Sequence, residues 1–376
     1  MDRPGGRPWN TRAQQSRIPR RLPAVYSTPA EGPAGARAAC LGSQAGGEIG
    51  SLSEIPADMS AWESRLRRPI KTLVFRVGRQ IPVLSALLAE LNSARGTFRF
   101  VPAGHYYSPI PSADAIREHA ARSHAAPTAE LPGISLNEPR QLELLDSLKS
   151  YYQELPFSEL KTAARRYFFE KPAYSYSDAI CLYGMIRHVR PRRIIEVGSG
   201  YSSCVMLDTN ELFFSNSIEC TFIDPYPERL LSLIRKDDHA RIAIVPKRVQ
   251  DVDPGRFREL AANDILFIDS THVAKIGSDV NHIIGNILPA LRPGVYVHFH
   301  DIFYPFEYPL EWLEEGRVWT EAYVLRAFLA FNSVYDIVLF NTFLERFYRD
   351  EFVQDMPLCL KNEGGSIWLQ RRPDSE

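Results

Sequence analysis

Apolar and polar positions change rhythm along this chain near residue 190. Beyond that point, short apolar runs alternate with stretches of helical spacing. The runs predict strands at 193–197, 219–223, 242–245, 264–268, 294–299, 337–340 and 366–370. Helices are expected between them, near 203–214, 227–236, 255–262, 278–291, 321–332 and 343–351. Short strands separated by helices predict an α/β fold built on a doubly wound parallel sheet. Upstream lie two helical patches, Asn137–Leu155 and Ser158–Phe169, and a helix opened by Ser177 and Asp178 that stops before Pro191.

The first 60 residues show no periodic pattern and carry Pro or Gly at 15 positions, with a basic start at Arg3, Arg7 and Arg12. This composition predicts a disordered tail, or an over-extended start with Met59 as the true beginning. From Ile70 to Leu91 apolar residues recur at helical spacing, broken by Pro82, with Lys71, Arg76 and Arg79 opposite. That helix is expected to pack on the main domain, the alternative being a basic amphipathic helix on a membrane surface. Val101–Pro111 is proline-fixed and aromatic, and is not expected to be regular. The expected division is a tail at 1–60, a helical cap region at 61–172 and a catalytic domain at 173–376.

Charge narrows the function classes: Lys and Arg number 44 against 45 Asp and Glu, so nothing suggests binding to nucleic acid by bulk electrostatics. Five scattered cysteines (Cys40, Cys181, Cys204, Cys220, Cys359) with no C-x-x-C pair read as reduced core thiols of a cytoplasmic protein. No apolar run is long enough for a membrane span, and no apolar segment follows the N-terminal arginines as a secretory signal requires.

The chemistry concentrates at strand ends. Arg193–Val197 runs into Gly198-Ser199-Gly200, and Ser202 or Ser203 is expected to cap the next helix. A strand–glycine turn–helix junction presents free N–H groups to an anionic or ribose-bearing ligand. Glu196 precedes the first glycine by two residues, and Ser203 stands where a dinucleotide fingerprint needs a third glycine. The next strand ends at Asp224, placed to accept from both ribose hydroxyls or else to cap a helix. Asp251 follows the third strand. Asp269 and His272 follow the fourth, and His300 and Asp301 end the fifth. Adjacent strand ends put Asp269 and Asp301 on one rim, where two carboxylates need a proton or a cation between them. His272 has the ordinary pKa of a general base. His298 is expected to be buried and neutral with one partner. An aromatic lining is expected from Tyr106, Tyr107, Tyr304, Phe306, Tyr308, Trp312 and Trp319, although core packing accounts for most such clusters.

Together Glu196-Val197-Gly198-Ser199-Gly200, Asp224, Asp269-x-x-His272 and His300-Asp301 resemble class I S-adenosylmethionine-dependent methyltransferases. The likeness is to the methyltransferase 24 group, related to catechol and macrolide-sugar O-methyltransferases, and covers residues 174–370. The resemblance implies a Rossmann-like seven-stranded sheet with a late reversed pair. It implies S-adenosylmethionine bound by Glu196, Gly198, Ser199, Gly200, Asp224, Asp251 and Asp269, with the last also in catalysis. It implies His272 as base and a magnesium or similar ion on Asp269 and Asp301. Catechol-type enzymes place Asn directly after the second Asp; Ile302 stands there instead, so His300 or Asn281 would have to substitute. The expected function is O-methylation of a small-molecule or sugar hydroxyl. An NAD-dependent enzyme and a non-catalytic binding protein on the same fold are the alternatives.

Overall fold

The computed structural model describes residues 100–123, 128–171 and 173–373. The expected tail, the Ile70–Leu91 helix and Cys40 lie outside these residues. Seven strands form one sheet: β1 Arg193–Val197, β2 Glu219–Ile223, β3 Ile242–Val245, β4 Ile265–Ile268, β5 Tyr296–His300, β6 Tyr335–Phe340 and β7 Ser366–Arg371. The helices are α1 Ala113–Ser123, α2 Glu138–Tyr152, α3 Tyr176–Val189, α4 Tyr201–Phe214, α5 Glu228–Leu233, α6 Gly255–Arg258, α7 Asp279–His282, α8 Leu310–Glu314, α9 Glu321–Leu329, α10 Asn341–Phe347 and α11 Arg349–Asp355.

Strand order is β3-β2-β1-β4-β5-β7-β6, with β7 antiparallel to both neighbours and the other pairings parallel. This is the Rossmann-like arrangement with its reversed final strand. Every residue of β4 is buried, the burial expected of a central parallel strand covered on both faces. The chain moves outward from β1 to β3 and then returns to β4, so the carboxyl ends of β1 and β4 form the switch point where ligands bind.

Several expected helices change. Residues 158–169 are irregular, because α4 takes the donors a helix would use: Arg166 and Tyr167 N–H both donate to the Asp208 carboxylate at 2.8 Å. The buried Arg166 guanidinium also pairs with Asp208 at 2.7 Å, Glu211 at 2.8 Å and Asp238. The single helix expected at 278–291 is α7 followed by a π turn at Ile283–Ile287 and a short turn through Pro289, whose missing N–H ends regular bonding. The short α1 goes unforeseen, although Ser112 Oγ accepts from Ala115 N–H at 3.1 Å as an N-cap does. α2 buries Leu144, Leu145 and Leu148 in the same core as the sheet. No helix among the described residues is long and apolar enough to cross a membrane. The four described cysteines are buried and unpaired.

Candidate functional site

Gly198 leaves β1 at φ 82°, a conformation that penalises any side chain. An added Cβ would lie 1.8 Å from the Asp269 carbonyl oxygen, so the β1 and β4 loops touch only because residue 198 has none. Behind the turn, the buried Glu196 carboxylate accepts from the Ser202 and Ser203 hydroxyls. Burial pushes its pKa up to about 8, against those two hydrogen bonds. Gly200, rather than either serine, is the N-cap of α4; Ser203 Oγ reaches back to the Gly200 N–H at 3.0 Å.

In front of the turn is a cavity of about 730 Å³. Gly198, Ser199, Asp224, Arg229 and Asp269 line it. Asp224 is set by Ser199, whose N–H and hydroxyl donate to Oδ2 at 3.0 and 2.8 Å, and by Tyr226 N–H on Oδ1 at 2.8 Å. Three expected contacts do not line this cavity: Glu196 faces inward, Gly200 caps its helix, and Asp251 is exposed and paired with Arg248 at 2.8 Å. Every described residue on this wall lies between Val197 and Asp279, so no described part of the expected cap region roofs it.

At the rim stand Asp269, His272 and Asp301, which offer ligand atoms within 4.8 Å of one another. His272 Nε2 is 3.3 Å from Asp269 Oδ1 and 3.5 Å from Asp301 Oδ2. Its Nδ1 meets buried Glu321 at 2.8 Å, and Trp319 covers the ring at 4.4 Å. Thr320 and Glu321 N–H donate to the His272 carbonyl, locking α9 to this turn. Both His272 (φ 60°) and Asp301 (φ 57°) are left-handed, a costly conformation outside glycine that concentrates at working sites. Burial opposes charge on His272, yet hydrogen bonds to Asp269 and Glu321 raise its pKa to about 10. Burial would likewise raise Asp269, but the imidazoles of His300 and His272 keep it below the usual carboxylate range. Asp301 goes up with burial, against the same two imidazoles.

The third group of this cluster is therefore His272. His300 stays close, with Nε2 3.5 Å from Asp301 Oδ1. Asn281 is turned away, its amide donating to the Lys275 carbonyl at 2.8 Å. His298 is fully buried, stacked on Phe267 at 4.0 Å, and neither ring nitrogen has a partner among the described residues. Burial drives its pKa well down. Tyr106 and Tyr107 are largely exposed and away from both cavities.

A second cavity, about 900 Å³, includes His300 and Asp301 in its wall, together with Lys171, Tyr174, Asp178, Phe303, Trp312 and Arg317. Sequence reasoning gave Lys171, Tyr174 and Arg317 no role, and it missed Glu321. A cap-like Thr320-Glu321 pair opening α9 was the one local signal for the last.

The methyltransferase domain model of the methyltransferase 24 family matches residues 195–302. An uncharacterized protein of Archaeoglobus fulgidus is 34% identical over 175 residues, 44% of this chain and 76% of the relative. The chain belongs to the methyltransferase 24 family. Two solved methyltransferases are weakly similar. The O-methyltransferase TomG of Streptomyces achromogenes, in complex with SAM, is 16% identical over 61% of this chain and 90% of its own, with a TM-score of 0.35. The SAH-bound Podospora anserina methyltransferase PaMTH1 is 12% identical over 70% and 99%, with a TM-score of 0.34. At those scores neither bears on the substrate. The Gly198 turn, Asp224 and the rim acids thus belong to a class I methyltransferase domain.

Proposed function

We propose that this protein transfers a methyl group from S-adenosylmethionine to a hydroxyl of a small molecule or sugar, with His272 as general base. The observation that carries the reading is His272 itself, fixed on Nδ1 by Glu321 and presenting Nε2 between Asp269 and Asp301. The donor supplies an electrophilic methyl on a sulfonium sulfur. Gly198 lets the nucleoside approach the backbone closely, and Asp224 accepts from its ribose hydroxyls. The residues also fit a divalent cation: the Asp269 and Asp301 carboxylates are hard oxygen donors in a cluster whose ligand atoms lie within 4.8 Å of one another. Asp269 and Asp301 would hold that ion, which lowers the pKa of a bound hydroxyl. Carboxylates engaged in this way would no longer hold a proton on His272 Nε2, and with Nδ1 bound to Glu321 that nitrogen would be the one to accept the acceptor's proton. The remaining contribution of the protein is alignment of the two reactants.

Calorimetry with S-adenosylhomocysteine tests the donor reading, which fails if wild-type protein shows no binding. For the base, His272→Ala should cut turnover of labelled donor by about a hundredfold or more while donor affinity stays near the wild-type value. Turnover indifferent to this change, or to a chelator, removes the base or the cation from the mechanism.

A further inference from the structure

The second cavity has cationic groups that its own acids do not satisfy. Asp178 accepts from Asn341 Nδ2 at 3.1 Å and Gly365 N–H at 3.1 Å. Glu170 accepts from the Tyr176 hydroxyl, and Glu363 pairs with Arg349 at 3.0 Å. Asp301 faces His272 and His300, with Arg317 acting on it only at longer range and without a hydrogen bond. Among the cations, Lys361 pairs with Glu159.

Arg317 and Lys171 differ. Arg317 lies over Trp312, 4.6 Å from the ring centre, and its Nε donates to Glu315 at 2.8 Å. The two terminal nitrogens of its guanidinium have no acceptor among the described residues. Lys171 Nζ lies 3.0 Å from the centre of the Tyr167 ring and 4.8 Å from that of Tyr201. It donates to the Phe168 carbonyl, and no described carboxylate forms an ion pair with it, Asp208 acting on it only at longer range. Burial without such a partner pulls its pKa down to about 7. A half-buried ammonium and a stacked guanidinium with unused donors are complementary to an anion.

We infer that this cavity takes the methyl acceptor, that the acceptor carries a carboxylate or phosphate, and that Arg317 and Lys171 receive that group. The inference rests on the methyl-transfer reading and adds the acceptor's class. The arrangement of the wall agrees with it: Phe303 and Trp312 offer aromatic surface to the body of such a molecule, and Asp301 stands at the rim with His272. The same chemistry has a second source, the amino-acid carboxylate of the donor, which the experiment separates.

Full-length protein saturated with S-adenosylhomocysteine is titrated calorimetrically with 4-hydroxybenzoate, with its methyl ester and with inorganic phosphate. The acid should bind about tenfold or more tightly than the ester, the worth of one charge-assisted hydrogen bond, and phosphate should compete with it. The gap should shrink to about threefold or less in Arg317→Gln and in Lys171→Met, with Lys171→Arg restoring part of it. Arg317→Gln alters a partly exposed side chain, so that arm remains decisive if Lys171→Met fails to fold. Equal affinity for acid and ester, no binding of either anion at millimolar concentration, or a gap that survives both substitutions overturns the inference. So does a Lys171→Met protein that loses affinity for S-adenosylhomocysteine but not for 5′-methylthioadenosine, which lacks the carboxylate. Absence of S-adenosylhomocysteine binding in wild-type protein strikes the donor reading; a missing acid–ester gap in protein that binds it strikes only this inference.

Discussion

The two cavities, one lined by Asp269 and the other by Asp301, are assembled in different ways. Among the described residues, the wall of the Gly198 cavity comes from residues 197–279, from loops that follow β1, β2, β3 and β4. The other wall draws on Lys171, Tyr174, Asp178, His300, Trp312 and Gly364 among others, from segments far apart in the chain. One side follows from the strand pattern once the sheet closes. The other depends on side-chain pairs that hold distant segments together, with the buried Arg166 foremost. Its guanidinium pins the segment before Lys171 to Asp208 and Asp238. Local geometry makes the first side, long-range ion pairing the second.

The largest effect that can break this contrast is Gly198→Ala. The new methyl collides with the Asp269 carbonyl at a left-handed position. Donor binding should vanish, and stability should drop by roughly 3 kcal/mol or more in chemical denaturation. Binding that persists would show that the loop yields and that the cradle is not set by glycine.

Next comes Arg166→Met, which leaves the buried Asp208 and Asp238 without their cation. The expected loss is about 3–5 kcal/mol, read by denaturation. In the protein that remains folded at low temperature, S-adenosylhomocysteine affinity should stay near wild type. Equal damage to donor binding would erase the distinction between the two sides.

The cluster between the cavities supplies a pH test. His272 is raised from its ordinary 6.5 to about 10, because burial is outweighed by Asp269 and Glu321. Its contribution to stability is therefore complete below pH 6.5 and is lost as pH rises through about 10. Metal-free wild-type protein should lose on the order of 3 kcal/mol more than His272→Gln across that interval. Parallel curves for the two proteins would mean that the imidazole is not held charged.

Smallest is Asp224→Ala. Loss of the proposed ribose acceptor should weaken S-adenosylhomocysteine by about ten- to a hundredfold with little effect on stability, measured by calorimetry. An unchanged affinity would move the sugar away from this carboxylate.

Legibility follows the same division. Strand positions were readable because buried parallel strands are short apolar runs; 193–197, 219–223 and 242–245 coincide with β1, β2 and β3. That Gly198, Asp224, Asp269 and Asp301 stand just past the strands was legible because each follows a short apolar run. Asp251 is exposed and paired with Arg248 rather than lining the cavity, and spacing carries no sign of that pairing. The helix expected at 158–169 failed because Asp208 claimed its backbone donors. Glu321 lies 49 residues from His272, and no periodic pattern links them.

Composition and periodicity by themselves determined an α/β sheet, its glycine turn and the acids along one rim, since each depends on neighbours within a few residues. Only tertiary structure decided that Glu321 buttresses His272, that His298 is sealed without a partner among the described residues while His300 faces a cavity, and that Lys171 and Arg317 share a wall with Asp301. Those relations depend on which buried charges and rings meet once the chain has closed on itself, and burial changes the energy of such meetings far more than sequence spacing can reveal.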